Sequence, residues 1–220
     1  MKLSNRLNTI FEMFEGNVAA DVGSDHGKLI ISLYQNKKIK KGYAIENKKG
    51  PYSRLCKEIE NNQLSNEIIS MFSDGISELP SDVDSVIVAG MGGSLIIDIL
   101  NSHRDNLYNV NYIYIDAHNN VPEVRRFITA LGYSIYKERI IKESGIYYEI
   151  IGFKKDKNSY LNDLDYQFGP ILRKEKSKIF VQKQKDRILE INNILSKPNL
   201  PGKKIDELVK EKNVLEEVIS

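Results

Sequence analysis

Apolar positions in the first 153 residues fall into short β-rich runs separated by stretches of helical spacing. Val18–Val22, Gly42–Glu46, Ile68–Phe72, Ser85–Ala89 and Tyr112–Asp116 read as strands, followed by Ser134–Ile141 and Tyr147–Phe153. Helices are expected over Lys28–Tyr34, Pro51–Asn61, Ser94–Leu100 and Glu123–Leu131. Pro51 and Pro122 sit near the starts of two of these, where a missing N–H is harmless. Strands alternating with helices predict βαβ units and a parallel sheet covered on both faces. The last two strands are joined only through Ser144-Gly145, a turn signal, so they should form an antiparallel hairpin at one edge. The expectation is an open α/β sheet of six or seven strands, five of them parallel.

From about residue 156 the pattern changes to helical spacing alone. Ile188, Ile191 and Leu195 make one stripe, and Ile205, Leu208, Leu215 and Ile219 make a second, with Lys212 in a slot that favours an apolar residue. Pro198-Asn199-Leu200-Pro201-Gly202 separates them. This predicts a sheet domain over 1–155 and a coiled-coil-like α-helical hairpin over 156–220, protruding rather than packed flat on the sheet.

Charge sharpens the division. The 220 residues carry 32 basic and 30 acidic side chains, a net charge of +2. Residues 1–153 are nevertheless mildly acidic, and the remainder is basic. Most of the excess lies in Arg173, Lys174, Lys176, Lys178, Lys183, Lys185 and Arg187, which is either a solvated helix face or a footprint for a polyanion. The single cysteine, Cys56, excludes an intrachain disulfide and a cysteine-based metal cluster. The three histidines lack metal-ligand spacing, so no metal is expected. Apolar runs are too short to span a membrane and no signal-peptide core follows Met1, so a cytoplasmic protein is expected, monomeric in the simplest case.

The chemistry sits at the strand ends. Asp21-Val22-Gly23-Ser24-Asp25-His26-Gly27 follows the first strand, where open α/β sheets bind ligands. It lacks the middle glycine of the dinucleotide fingerprint and any P-loop lysine, which disfavours a nicotinamide oxidoreductase. Its carboxylates suit a cationic, hydroxyl-rich ligand such as S-adenosyl-L-methionine. Glu46 ends the second strand, where an acidic residue can accept from both ribose hydroxyls. Ser73-Asp74-Gly75 follows the third strand, and Asp74 can accept from an adenine amino group. Ala89-Gly90-Met91-Gly92-Gly93-Ser94 follows the fourth, where glycines allow either close ligand approach or tight packing. In chain order these ends trace the cofactor cleft of a Rossmann-like methyltransferase.

Leu3-Ser4-Asn5-Arg6-Leu7, the Asp21–His26 loop, Gly50-Pro51-Tyr52, Ala89–Gly93 and Phe168-Gly169-Pro170 together resemble the bacterial TrmK family. Those proteins are tRNA (adenine-N1)-methyltransferases acting at position 22 of the D-arm. The resemblance runs almost end to end. It implies a class I S-adenosyl-L-methionine-dependent fold and a C-terminal helical domain that helps hold tRNA. It also implies cofactor roles for Asp21, Gly23, Glu46, Asp74 and Gly90, beside which Ser24, Gly75 and Met91 are further cofactor candidates, and catalytic roles for Asp25 and His26, though His26 could instead cap the next helix. Substrate contacts are expected from Gly92, Gly93, Asp116, His118 and Asn119, and from Arg173, Lys174, Lys176, Lys178, Lys183 and Lys185. Tyr52, Met91 and His118 are candidate stacking partners for the base. One departure stands out: Asp116-Ala117-His118 replaces the Gln-Pro-Asn common in the family. A small-molecule or protein methyltransferase, and a non-catalytic S-adenosyl-L-methionine-binding scaffold, remain the alternatives.

Overall fold

A computed structural model describes residues 2–156 and 160–220; residues 157–159, inside the expected 156–220 domain, and Met1 lie outside the described residues. Seven strands form one sheet: β1 (Val18–Val22), β2 (Lys41–Glu46), β3 (Ile68–Phe72), β4 (Ser85–Met91), β5 (Tyr112–Ala117), β6 (Tyr133–Glu143) and β7 (Ile146–Lys155). Their spatial order is β3-β2-β1-β4-β5-β7-β6. The first five neighbours are parallel, and β7 runs antiparallel between β5 and β6. β6 therefore points the same way as the parallel five. The expected hairpin is present, with its second strand tucked inside its first.

Both faces of the central strands are buried, which is why they read as nearly continuous apolar runs. On one face α4 (Gly93–Ser102) and α5 (Val121–Ala130) bury Ile96, Leu100, Val124 and Ile128 against Val86, Val88 and Ile113. On the other, α2 (Lys28–Gln35) and α3 (Lys49–Asn61) cover Ala19, Ala44 and Ile87. A helix that the sequence pattern did not announce, α1 (Asn5–Met13), joins this second face through Ile10 and Met13. Ser4 caps it by accepting from the Leu7 amide. The strand order reverses between β1 and β4, so the carboxyl ends of these two strands flank the switch point.

The remaining helices are α6 (Asp163–Phe168), α7 (Pro170–Glu175), α8 (Lys178–Leu195) and α9 (Gly202–Ile219). Phe180, Ile191, Leu208 and Leu215 form a small core of their own, which Ile140 of β6 enters. The root of the helical hairpin is thus anchored on the sheet. Lys183 meets Glu149 at the level of Ile140, and Asp186 meets Lys142 and Tyr147 one step nearer the carboxyl end of β6. The stretch from Asp186 to Leu195 then carries α8 about 14 Å further in the same direction.

Under this root lies a buried ionic cluster. Arg125 of α5, fully buried, donates from Nε to Glu138 at 3.0 Å, from Nη2 to Glu149 at 2.6 Å and from Nη1 to the Tyr166 carbonyl at 3.2 Å. Glu138 also accepts from the Ile171 amide at 2.9 Å. Burial pushes the Glu149 carboxyl up, but Arg125 and Lys183 outweigh it and hold the group below its ordinary value. Gly169 separates α6 from α7 with φ +85°, and a Cβ there would lie 2.5 Å from Glu138 Oε1 and 2.8 Å from Arg125 Nη2. The glycine of Phe168-Gly169-Pro170 is required because two charged side chains occupy the space a side chain would take.

Candidate functional site

The Gly23–Asp25 loop leaves β1 at the switch point and turns directly into α2. The Gly23 and Ser24 amides donate to the Ile45 carbonyl at 2.9 and 3.2 Å, which ties the loop to the end of β2. Gly23 has φ +74°, and a Cβ on it would stand 2.1 Å from Met91 Cε. The left-handed φ favours glycine here, and its bare Cα lets the flexible end of Met91 rest on the loop. Asp25 also has positive φ, 42°, which aspartate tolerates better than most residues.

Two recesses meet at this loop. The larger, about 500 Å³, runs across the carboxyl ends of β1, β2 and β3 and is lined by Gly23, Asp25, Glu46, Asp74, Gly75 and Met91. Glu46 is 8% exposed, and its Oε1 accepts the amides of Asn47 and Lys48, both at 3.1 Å. That fixes the carboxylate and leaves Oε2 as an acceptor for hydroxyls. Asp74 is oriented by the Asn47 side-chain amide at 2.9 Å. The smaller recess, about 330 Å³, lies on the other side of the loop and is lined by Arg6, Asp21, Ser24, His26, Lys28 and Gly90; Gly23 and Asp25 line both. Ser24 Oγ donates to Asp21 Oδ2 at 2.6 Å. Burial nevertheless dominates and pushes the Asp21 carboxyl up to about 6, against the lowering effect of the Ser24 hydrogen bond.

Asp25 stands at the junction with its side chain half exposed, and Arg54 Nη2 of α3 donates to its Oδ1 at 2.9 Å. His26 Nε2 is 3.5 Å from Asp25 Oδ2. Gly27, not His26, occupies the N-cap position of α2, so the ring faces the site instead of capping. The arrangement offers a cleft with fixed carboxylate acceptors for a cationic, hydroxyl-bearing ligand. A second pocket opens beside it, with a carboxylate where the two meet.

The other expected residues divide. Gly90, at a β-bulge between β4 and β5 with φ +77°, borders the smaller recess. Gly92 and Gly93 serve packing: the Gly93 amide donates to Asn119 Oδ1 at 3.0 Å, and a Cβ on Gly93 would come within 2.4 Å of the Asn119 carbonyl. Asn119 therefore holds the start of α4. Tyr52 leans edge-on against Phe72 and lines neither recess. Asp116 is fully buried, with Oδ2 bonded to Arg6 at 2.8 Å, and His118 Nε2 is 3.2 Å from the same Arg6 nitrogen. In the helical region Lys183 is bonded to Glu149 and Arg173 to Asp165. Lys174, Lys176, Lys178 and Lys185 are exposed and form no ion pair among the described residues. Arg54 and Asn47 were absent from the sequence-based set; nothing in their local pattern distinguishes them from surface residues of a helix and its approach.

Comparison with known proteins agrees with this geometry. The family model described as TrmK, tRNA (adenine(22)-N(1))-methyltransferase, matches residues 19–220. The tRNA (adenine(22)-N(1))-methyltransferase of Bacillus subtilis is 28% identical over 232 residues, covering 100% of this chain and 98% of that protein. The structure of Streptococcus pneumoniae Sp1610 in complex with S-adenosyl-L-methionine superposes with a TM-score of 0.91 at 30% identity, over 100% of both chains. That of M. capricolum TrmK with S-adenosyl-homocysteine gives 0.89 at 26% identity, covering 99% of this chain and 97% of that one. An acidic cleft at the switch point, a family match over residues 19–220 and full-length structural agreement lead to one conclusion: this chain belongs to the tRNA (adenine(22)-N(1))-methyltransferase family, TrmK.

Proposed function

We infer that the protein transfers the methyl group of S-adenosyl-L-methionine to N1 of the adenine at position 22 in the D-arm of tRNA. The observation that carries this reading is the pair of recesses sharing Gly23 and Asp25. One suits the cofactor and the adjoining one a single base. The helical hairpin also extends past the same end of the sheet, where a bulky polyanion would be met. The test is methylation of unmodified tRNA with labelled S-adenosyl-L-methionine, followed by mapping of the modified base. Transfer to N1 of A22 is expected, and transfer elsewhere or none at all would overturn the reading. The same reading has the enzyme acting on cytoplasmic tRNA as a monomer.

The residues fit the cofactor. Glu46 presents a carboxylate to a ribose diol, Asp74 an acceptor to an adenine amino group, and Gly23 with the Met91 side chain an apolar floor. Asp21, beside the shared loop, supplies negative charge for a cationic end. When bound, S-adenosyl-L-methionine supplies an electrophilic methyl: the adenine N1 lone pair forms the new C–N bond while the C–S bonding pair stays on sulfur. The protein's task is to hold N1 in line and to meet the positive charge that then resides on the base. Asp25 performs the second role, accepting from the exocyclic amino group while Arg54 and His26 hold its carboxylate. Reaching N1 requires extrusion of the base from the stack, which the smaller recess accommodates.

The raised Asp21 carboxyl has a consequence for binding. A neighbouring cation favours the ionised form, so cofactor affinity is expected to be full above pH 6 and to fall as pH drops through about 6, where free Asp21 takes up its proton. Calorimetric titrations between about pH 5 and pH 8 should show this decline. Asp21→Asn should flatten it while weakening binding at neutral pH; an unaltered profile would remove Asp21 from the cofactor site.

The free lysines make a separate prediction. Joint replacement of Lys174, Lys176, Lys178 and Lys185 by glutamine should leave cofactor affinity intact. It should also make the slope of log tRNA affinity against log salt shallower by about 3, at roughly 0.7 to 0.9 per phosphate contact. An unchanged slope would make this stretch a plain solvated face.

A further inference from the structure

We propose that Arg6 anchors a backbone phosphate of the extruded target nucleotide, and that Asp116 and His118 are positioning residues that aim its guanidinium. This rests on the tRNA-methylation reading above and concerns how that substrate is gripped.

Arg6 is held from three directions by elements far apart in the chain. Its Nη1 donates to Asp116 Oδ2 at 2.8 Å, near the end of β5, and to His118 Nε2 at 3.2 Å, just past it. Its guanidinium lies 4.7 Å from the centre of the Tyr148 ring on β7, and its Nε is 3.6 Å from Glu143 at the end of β6. Arginine has no acceptor, so the His118 contact requires a lone pair on Nε2 and puts the imidazole proton on Nδ1. His118 here is an acceptor that steers Arg6.

Stability alone does not account for Asp116. The carboxylate is fully buried, and its Oδ1 makes no well-formed hydrogen bond among the described residues, though the Gly90 amide lies close to the group. A half-satisfied buried carboxylate costs folding free energy, and a well-packed apolar pair in its place would be neutral or stabilising. What Asp116 does achieve is a fixed guanidinium at the wall of the smaller recess, which Arg6 lines together with Lys28 and Gly90. Arg6 Nη2 has no partner among the described residues, and neither has the Lys28 ammonium. Gly90 keeps the approach open: a Cβ there would sit 3.8 Å from Arg6 Nη1 and 4.0 Å from His118 Nε2.

A phosphate is the group that suits this wall. Extrusion turns a nucleotide about its own backbone, so the flanking phosphates stay at the rim while the base enters the pocket. A planar, pre-oriented guanidinium with a free nitrogen matches phosphate oxygens in direction as well as charge. Asp21 and Asp25 in the same recess repel an anion from the deeper part and favour the base, which becomes cationic on methylation. The recess therefore carries charge of both signs, as an adenylate residue demands.

The test pairs a substrate change with a protein change. Full-length unmodified tRNA is assembled with one neutral methylphosphonate on either side of A22 and compared with all-phosphate tRNA. In the wild-type enzyme, one of the two replacements is expected to lower kcat/KM by about tenfold to a hundredfold. Arg6→Met should show that loss already on normal tRNA and no further loss on the modified one, with cofactor affinity unchanged when measured below the variant's melting temperature, which the stranding of Asp116 should lower. Asp116→Asn should raise KM for tRNA and shrink the methylphosphonate penalty, an effect that a purely structural residue would not produce. Filter binding gives a readout independent of turnover: the salt slope for Arg6→Met should be shallower by about 0.7 to 0.9. Equal penalties in wild type and Arg6→Met, no penalty at either position, or an unchanged slope would each overturn the proposal. Failure of the wild-type enzyme to methylate unmodified tRNA would instead overturn the reading beneath it.

Discussion

Replacing Asp25 by asparagine is expected to lower kcat for tRNA methylation by about 100-fold or more while leaving S-adenosyl-L-methionine affinity unchanged. Asparagine is the informative choice because Asp25 sits at φ +42°, a backbone region that asparagine also tolerates and alanine does not. It keeps the shape and a hydrogen-bond acceptor but removes the negative charge that faces the methylated base. Arg54 and His26 remain to hold the side chain. Single-turnover rates with saturating cofactor, set beside calorimetric affinity, separate chemistry from binding. Unchanged turnover would leave Asp25 as a loop residue only. A parallel loss of cofactor affinity would move it to the cofactor side of the junction.

The largest effect on stability should come from Arg125→Met. The substitution keeps much of the volume but strands Glu138 and Glu149, both buried, without their shared cation. Breaking such a cluster costs about 3 to 5 kcal/mol, which lowers the melting temperature by about 10 °C in a protein of this size. The cluster joins α5, β6, β7 and the root of the helical hairpin, so the hairpin should loosen together with the sheet edge. Protease cutting between the sheet and α8, seen before global unfolding, would report this. Unaltered melting would show that the ionic cluster is incidental to packing the hairpin on the sheet. The same contacts argue against testing tRNA binding by cutting the chain near residue 156, since removal of the helices would expose Arg125, Glu138 and Ile140.

Much of the molecule was legible in the chain itself. Nearly continuous runs of Val, Ile and Ala mark the central strands because both faces of a covered parallel sheet demand them, and β1 and β3 lie where the pattern places them. Asp21, Glu46 and Asp74 could be singled out as candidates because open α/β sheets expose the carboxyl ends of their strands to ligands. Position along a strand therefore carries chemical meaning before any contact is known. The basic stretch after Ile171 was equally plain as charge.

Other features depend on which distant residues meet, and local patterns do not encode that. Lys183 looks like its neighbours in the basic run, yet Glu149 takes it for a buried cluster while Lys185 stays free. Gly93 resembles a ligand-binding glycine, but Asn119 fills the space beside it. Arg6 lies 110 residues from Asp116, and nothing near either predicts that α1 delivers a guanidinium to the end of β5. Hydrophobic periodicity reports one element at a time, whereas buried charges are settled pairwise, by the partners that topology brings within hydrogen-bonding reach. The sheet and the acidic strand ends were written in the sequence. Only the tertiary structure decided which of its cations hold the fold together and which are left exposed to solvent.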